Sequence, residues 1–292
     1  MIPESVLSPV FLEGDCFEYW AKIPDASVDL ILTDPPYNIT AASWDKVVDW
    51  GRFFSEAWRV LKPKGAVVAF ASSKFTIKLA NADFKNYRYK WVWDKSFGGS
   101  PTGFLNARRR PLGVYEEILV FYHNQCKYNP QRVKTNKGGV EKYNTKDGKP
   151  LTSELYRRNL IKTAVSSDDG LRYPVDIISA ARVNTRTFPK GASTHIHTNQ
   201  KPTELLRYLI RTYTDEGDVV FDPFAGSCSC GVSCLREGRR FIGIEKEAAH
   251  YSKATAWLKR ELERANQGII SSDDNARGEG KEAPWPLIAG IV

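Results

Sequence analysis

The sequence predicts an α/β fold, a doubly wound and mostly parallel sheet with helices on both faces, interrupted by one basic insertion. Short continuous apolar runs, such as Val28–Thr33 (VDLILT) and Arg240–Ile244, have the pattern of parallel strands buried on both sides. Between them lie segments with apolar residues at helical spacing, and strands alternating with helices argue for a doubly wound sheet. Charge is segregated as well. Of 42 Lys/Arg and 34 Asp/Glu, residues 124–190 hold 14 and 6, which leaves the remainder balanced at 28 against 28.

In chain order, Phe11–Asp15 is a short apolar run ending in Gly14-Asp15, and Cys16–Ile23 has helical spacing. Val28–Thr33 is a strand that stops at Asp34-Pro35-Pro36-Tyr37, because two prolines end sheet pairing and helix alike. Asp45–Leu61 places Val48, Phe53, Phe54, Ala57, Trp58 and Leu61 on one side of a helix, closed by Lys62-Pro63-Lys64-Gly65. Ala66–Ala71, Tyr87–Trp93 and Glu117–Tyr122 follow as strands. Residues 124–193 are polar, basic and rich in Asn, Thr and Gly, with little periodicity. The alternation resumes with a helix at Pro202–Tyr213, its proline near the first turn, a strand at Val219–Phe221, a helix at Ser229–Arg236, a strand at Arg240–Ile244 and a long helix at Glu247–Ala265. Residues 267–281 have the composition of a tail, ahead of an apolar stretch at Trp285–Val292. The expected organisation is one α/β domain in two parts, 1–123 and 194–266, with an insertion at 124–193 and a tail at 267–292.

A chain of 292 residues can bury a core without covalent staples. The five cysteines are odd in number and form no CxxC pair, so neither a disulfide framework nor a common zinc motif is expected. No signal-peptide pattern or membrane-length apolar run is evident, and a cytoplasmic setting is expected. His195 and His197 form an HxH pair with no third ligand nearby, so no metal is expected. A neutral body carrying a basic segment fits a polyanion partner. A solvated loop that is basic by chance fits the charge count equally well.

Two segments carry chemistry. Asp218–Glu245 reads as strand, Gly/Ser turn, helix and second strand ending in an acid, the first half of a nucleotide-binding βαβ unit. Glu245, about 20 residues past the turn, would accept hydrogen bonds from ribose hydroxyls. The turn is Gly226-x-Cys228-x-x-Gly231, and a dinucleotide site wants glycine at the middle position so that backbone can approach a pyrophosphate. Cys228 has a Cβ there. A cofactor with adenine and ribose but no phosphate, such as S-adenosylmethionine, demands less, and this argues against a nicotinamide oxidoreductase. The alternative is a structural βα turn with an incidental acid.

The second segment is Asp34-Pro35-Pro36-Tyr37, at the carboxyl end of a parallel strand, where open α/β sheets place ligands. The exocyclic amine of a base is a poor nucleophile because its lone pair is delocalised into the ring. Two acceptors on its N–H groups pull the nitrogen toward pyramidal geometry and free that pair. Asp34 can supply a carboxylate and Pro35 a carbonyl, while Tyr37 offers a face for an extruded base. Extrusion costs a few kcal/mol, which stacking offsets. Because a sulfonium methyl is already activated, such catalysis is mostly positioning. An ordinary Asp-Pro-Pro turn is the competing reading.

Together, TDPPYN at Thr33–Asn38 and DPFAGS at Asp222–Ser227 resemble the amino-DNA methyltransferases, and the order of catalytic motif, basic insertion and cofactor motif is similar to their β class. The resemblance spans roughly residues 10–265 and implies a seven-stranded methyltransferase-type sheet, S-adenosylmethionine as cofactor and duplex DNA as substrate. It implies that Asp34, Pro35, Pro36 and Tyr37 are catalytic. Gly14, Asp15 and Cys16 match the segment that contacts the cofactor adenine, Glu245 the ribose acid, and Gln200, Lys201 and Pro202 the methionine end. Asp222, Phe224, Gly226 and Ser227 match the cofactor loop, and 124–193 the target-recognition region. Arg108, Arg109 and Arg110 would add DNA contacts. Aspartate at the head of the tetrapeptide is more typical of adenine-N6 enzymes, serine of cytosine-N4 enzymes, and Cys228 departs from the glycine often found there. No endonuclease-like segment is evident, so a stand-alone methylase, orphan or serving restriction-modification, is expected, with a homodimer as the expected assembly. A non-catalytic DNA-binding protein on a nucleotide-binding scaffold is the contrasting reading, and it requires no dependence on S-adenosylmethionine.

Overall fold

A computed structural model of the chain describes residues 9–38, 47–96, 101–134, 171–183 and 200–267. In order, the elements are β1 (Val10–Glu13), α1 (Cys16–Trp20), β2 (Val28–Thr33), α2 (Trp50–Val60), β3 (Leu61–Ala71), α3 (Lys74–Ala82), β4 (Tyr87–Asp94), a 3₁₀ turn (Phe104–Asn106), β5 (Tyr115–Phe121), β6 (Val133–Lys134), β7 (Leu171–Arg172), β8 (Ile177–Ser179), α4 (Thr203–Tyr213), β9 (Val219–Asp222), α5 (Ser229–Arg236), β10 (Arg240–Glu245) and α6 (Ala248–Asn266).

The main sheet runs β1-β10-β9-β2-β3-β5-β4-β8. Only β5 is antiparallel to its neighbours, so the sheet is mostly parallel, as the continuous apolar runs require. Alternate residues of β2 feed two cores. Leu30 and Leu32 face α4, α5 and α6, while Ile31 faces α1, α2 and α3. Helices therefore cover both faces and leave these strands dry. The α2 helix shows why the pattern is legible: Asp49 caps it by accepting from the Arg52 amide, and Trp50, Phe53, Phe54, Ala57 and Val60 bury one stripe.

Three features differ from the sequence reading. The segment Lys62–Gly65 does not merely end a helix, since β3 starts at Leu61, pairs with Val28 and bulges before resuming at Ala66. An eighth strand, β8, is added at the sheet edge from within the aperiodic basic segment, where three residues are too few to show alternation. The helix α3 is a further addition, buried through Phe75 and Leu79. The described residues fall into two compact units, 130–175 and the remainder. Within 130–175, β6 pairs antiparallel with β7. Most of the 124–193 insertion, the HxH pair and nearly all of the 267–292 tail lie outside the described residues.

Candidate active site

The carboxyl ends of β1, β2, β9 and β10 open onto one cleft of about 1470 Å³. Pockets for a single small ligand span roughly 300–1,000 Å³, so this cleft is larger than one such ligand requires. Asp34, Pro35, Pro36 and Tyr37 line it, together with Asp15, Cys16, Gln200, Lys201, Asp222, Phe224, Gly226, Ser227 and Glu245. The two motifs also touch directly. Thr33, the last residue of β2, donates its hydroxyl to Asp222 Oδ1 at 2.7 Å across 189 positions of chain. They meet because β2 and β9 are adjacent parallel strands, which brings both carboxyl-terminal turns to the same edge.

The cofactor half is built from backbone. Glu245 Oε2 accepts from the Gly226 amide at 2.8 Å and Oε1 from the Glu247 amide at 2.8 Å. Both oxygens keep lone pairs for further donors. Burial pushes this carboxyl up, and the two amides oppose that rise. Asp15 caps α1 through the Phe17 amide at 2.9 Å and pairs with Lys246 at 2.8 Å, which ties the end of β1 to the end of β10. Cys16 is a core residue, its thiol pushed up to about 12 by burial. Cys228, at the position where glycine is often found, has φ +61 and ψ 26, a left-handed conformation that costs a side chain roughly 1–2 kcal/mol. Its thiol is fully buried in the core, so the turn keeps its shape and the side chain leaves the cleft clear. Gly231 is required by packing, because an added Cβ would come within 2.6 Å of Cys228 Sγ and of the Phe241 ring. Asp222 is 5% exposed, and burial pushes its carboxyl up to about 7 despite hydrogen bonds from Thr33 and the Phe224 amide.

The catalytic half holds a charge cluster that no local pattern announces. Lys201 Nζ lies 2.6 Å from Asp34 Oδ2 and 3.3 Å from Glu116 Oε2, and Lys95 Nζ is 2.8 Å from Glu116 Oε1. Two carboxylates thus face two ammonium groups. Burial would lower the Lys201 pKa, but Asp34 and Glu116 outweigh it and raise it, so the ammonium stays charged. Burial raises Asp34, and Lys201 opposes that rise. The Lys201 ammonium also sits 5.0 Å from the Phe70 ring centroid. Tyr37 donates its hydroxyl to Asp34 Oδ1 at 2.9 Å, and its ring stacks on Phe75 at 4.6 Å with a 19° interplanar angle.

Lys201, matched by resemblance to the methionine end, lines the cleft and is also a partner of Asp34, because the segment leading into α4 runs beside the end of β2. Pro202 heads α4 as its N-cap and is not among the residues lining the cleft. Of the three arginines, Arg110 lines the cleft, while Arg108 and Arg109 lie outside its lining. Glu116, Lys95 and Phe75 were not anticipated. The one available signal was Glu116-Glu117 opening an otherwise apolar strand.

The profile of the DNA methylase family matches residues 28–256, which include both motifs. The chain belongs to that family. It is 30% identical over 251 residues to the DNA adenine methyltransferase YhdJ of Escherichia coli strain K12, covering 80% of this chain and 77% of that protein. It is 27% identical over 285 residues to the type II methyltransferase M.HinfI of Haemophilus influenzae, covering 85% of this chain and 67% of that one. Its fold is similar to that of M1.HpyAVI in complex with SAM, at a TM-score of 0.54 and 20% identity, covering 86% of this chain and 99% of the other. In this DNA methylase the α/β scaffold is an eight-stranded mixed sheet, with the short β8 at one edge. Among the described residues, no helix is long and apolar enough to cross a membrane.

Proposed function

We propose that this chain transfers a methyl group from S-adenosylmethionine to the N6 amine of an adenine extruded from duplex DNA. The observation that carries the reading is the convergence of Asp34 and the Gly226 turn on one cleft, bridged by the Thr33–Asp222 hydrogen bond. The residues fit the cofactor: the Glu245 carboxylate is held by two backbone amides with lone pairs to spare for a ribose diol, beside a turn whose only bulky side chain is turned into the core. When bound, the sulfonium supplies an activated methyl group.

The protein's own residues do the positioning. Asp34 takes one amine proton into a hydrogen bond and the Pro35 carbonyl a second, which localises the nitrogen lone pair. Tyr37, fixed by Phe75 and by its bond to Asp34, sets the plane of the base. Lys201 holds Asp34 in its ionised, accepting form, while Glu116 and Lys95 balance the local charge. Arg108, Arg109 and Arg110 reach phosphates beside the opening.

The assembly in this reading is a homodimer in the cytoplasm. Both α2 and α4 bury their apolar faces in their own cores, so a dimer uses another surface, and light scattering measures it. Asp34→Ala tests the function: cofactor binding by calorimetry should persist and methyl transfer to plasmid DNA should vanish. Full activity in the variant refutes the role of Asp34. Mass identification of the modified nucleoside as N4-methylcytosine would replace the adenine assignment.

A further inference from the structure

Between β4 and β5 the chain leaves the sheet and returns over residues 101–113. The neck of this loop is closed by reciprocal backbone hydrogen bonds between Thr102 and Gly113, at 2.8 and 2.9 Å, and by the Thr102 hydroxyl on the Gly113 carbonyl at 3.1 Å. Gly103 turns the backbone at φ +91, and the 3₁₀ turn Phe104–Asn106 follows, with the Arg109 and Arg110 amides bonded to the Asn106 carbonyl. The loop is thus an ordered protrusion. Its base lines the cleft through Gly103, Arg110 and Pro111. Its tip carries Leu105, 102% exposed, and Phe104, 61% exposed, and two residues further on come three exposed arginines.

Leu105 buries nothing within the fold, and with Phe104 it presents a paired apolar tip beside the cleft, as contact surfaces do. The adjoining arginines give the partner its sign. A duplex supplies both halves: phosphates for the guanidinium groups, and the dry interior of the base stack for the apolar tip. Resting on the methyl-transfer reading, we infer that Leu105, backed by Phe104, is a wedge that enters the duplex beside the target and occupies the space an extruded base leaves. Extruding a base unstacks both its neighbours. Apolar side chains inserted at a base step are a known means of holding a duplex in an opened form. Position favours this assignment over a general DNA contact, because the same short loop both forms part of the cleft wall and presents the tip.

The test separates opening from everything else. Sequencing a plasmid modified by the enzyme locates the methylated site. Two short duplexes bearing that site are then compared, one fully paired and one with an abasic residue opposite the target base, which is already cheaper to extrude. Leu105→Ser should slow methylation of the paired duplex by about tenfold or more and of the abasic-opposed duplex by less than about twofold. Leu105→Met should restore the paired rate. Because Leu105 has no buried contacts, both variants should bind S-adenosylmethionine as the wild type does. Equal loss on the two duplexes, or no loss on either, overturns the wedge. A wild-type enzyme that modifies no plasmid overturns the methyl-transfer reading itself and the wedge with it.

Discussion

Replacing Lys201 with methionine keeps an unbranched side chain of similar length and deletes the charge that lies 2.6 Å from Asp34 and faces the Phe70 and Trp93 rings. At that separation two unit charges attract by about 6 kcal/mol if the effective dielectric constant is about 20. The Asp34 side chain is 27% exposed, and solvent screening reduces the useful part to about half, or roughly 3 kcal/mol. With that attraction gone, burial and Glu116 act on Asp34 unopposed, and its carboxyl should rise further above the ordinary aspartate range. A protonated Asp34 no longer offers the amine a carboxylate. The acidic limb of kcat/KM against pH should therefore move to higher pH, with activity recovering at alkaline pH. Affinity for S-adenosylmethionine, read by calorimetry, should change by less than about threefold, since Glu245 and the Gly226 turn are untouched. Lys201→Arg, which keeps a charge but not the point geometry, should fall between the two. A variant whose cofactor affinity drops more than about tenfold while its acidic limb stays in place would show that Lys201 serves the cofactor and not Asp34.

Two further outcomes follow from the cofactor half. Asp222 in the folded protein titrates near 7, against an ordinary aspartate near 3.8, so between those values the native state holds a proton that the unfolded chain has released. Stability contributed by this group is present at low pH and is lost as pH rises through 7, by roughly 4 kcal/mol at most. Asp222→Asn should flatten the fall of the apo-protein Tm between pH 5 and pH 8; an unchanged pH dependence refutes the burial argument. Gly231→Ala places a methyl group 2.6 Å from Cys228 Sγ and the Phe241 ring, and should lower stability by about 1–3 kcal/mol, seen as a lower urea midpoint at constant slope. An unshifted midpoint would mean that α5 can withdraw from β10 without cost.

What the sequence makes legible is what depends on neighbours in the chain. VDLILT ends where Asp-Pro-Pro forbids further pairing, and Ser229–Arg236 begins where the Gly226–Cys228 turn reverses the backbone. Each needs only local sterics and apolar spacing. The convergence of Asp34 with Asp222 was legible one step further on, because a doubly wound sheet gathers its carboxyl ends at one edge and chemistry-bearing acids stood at two of them. The Lys201–Asp34–Glu116–Lys95 cluster was not legible in this way. Its members stand in or at the ends of four elements, Lys201 and Asp34 are separated by 167 positions, and a single Lys in a Gln-Lys-Pro segment carries no period to register. Its signal is a mismatch of environment: two lysines, 8% and 6% exposed, among Phe70 and Trp93. A buried ammonium needs a buried carboxylate, and only the strand order β2-β3-β5-β4 decides which carboxylates are within reach. The Asp34 motif can thus be found by reading along the chain, whereas the cation set against its carboxyl group is a property of the sheet. It follows that two members of this family with identical tetrapeptides need not share a pH optimum, since the cation set against the aspartate is chosen by the packing of other strands and by the segment that leads into α4.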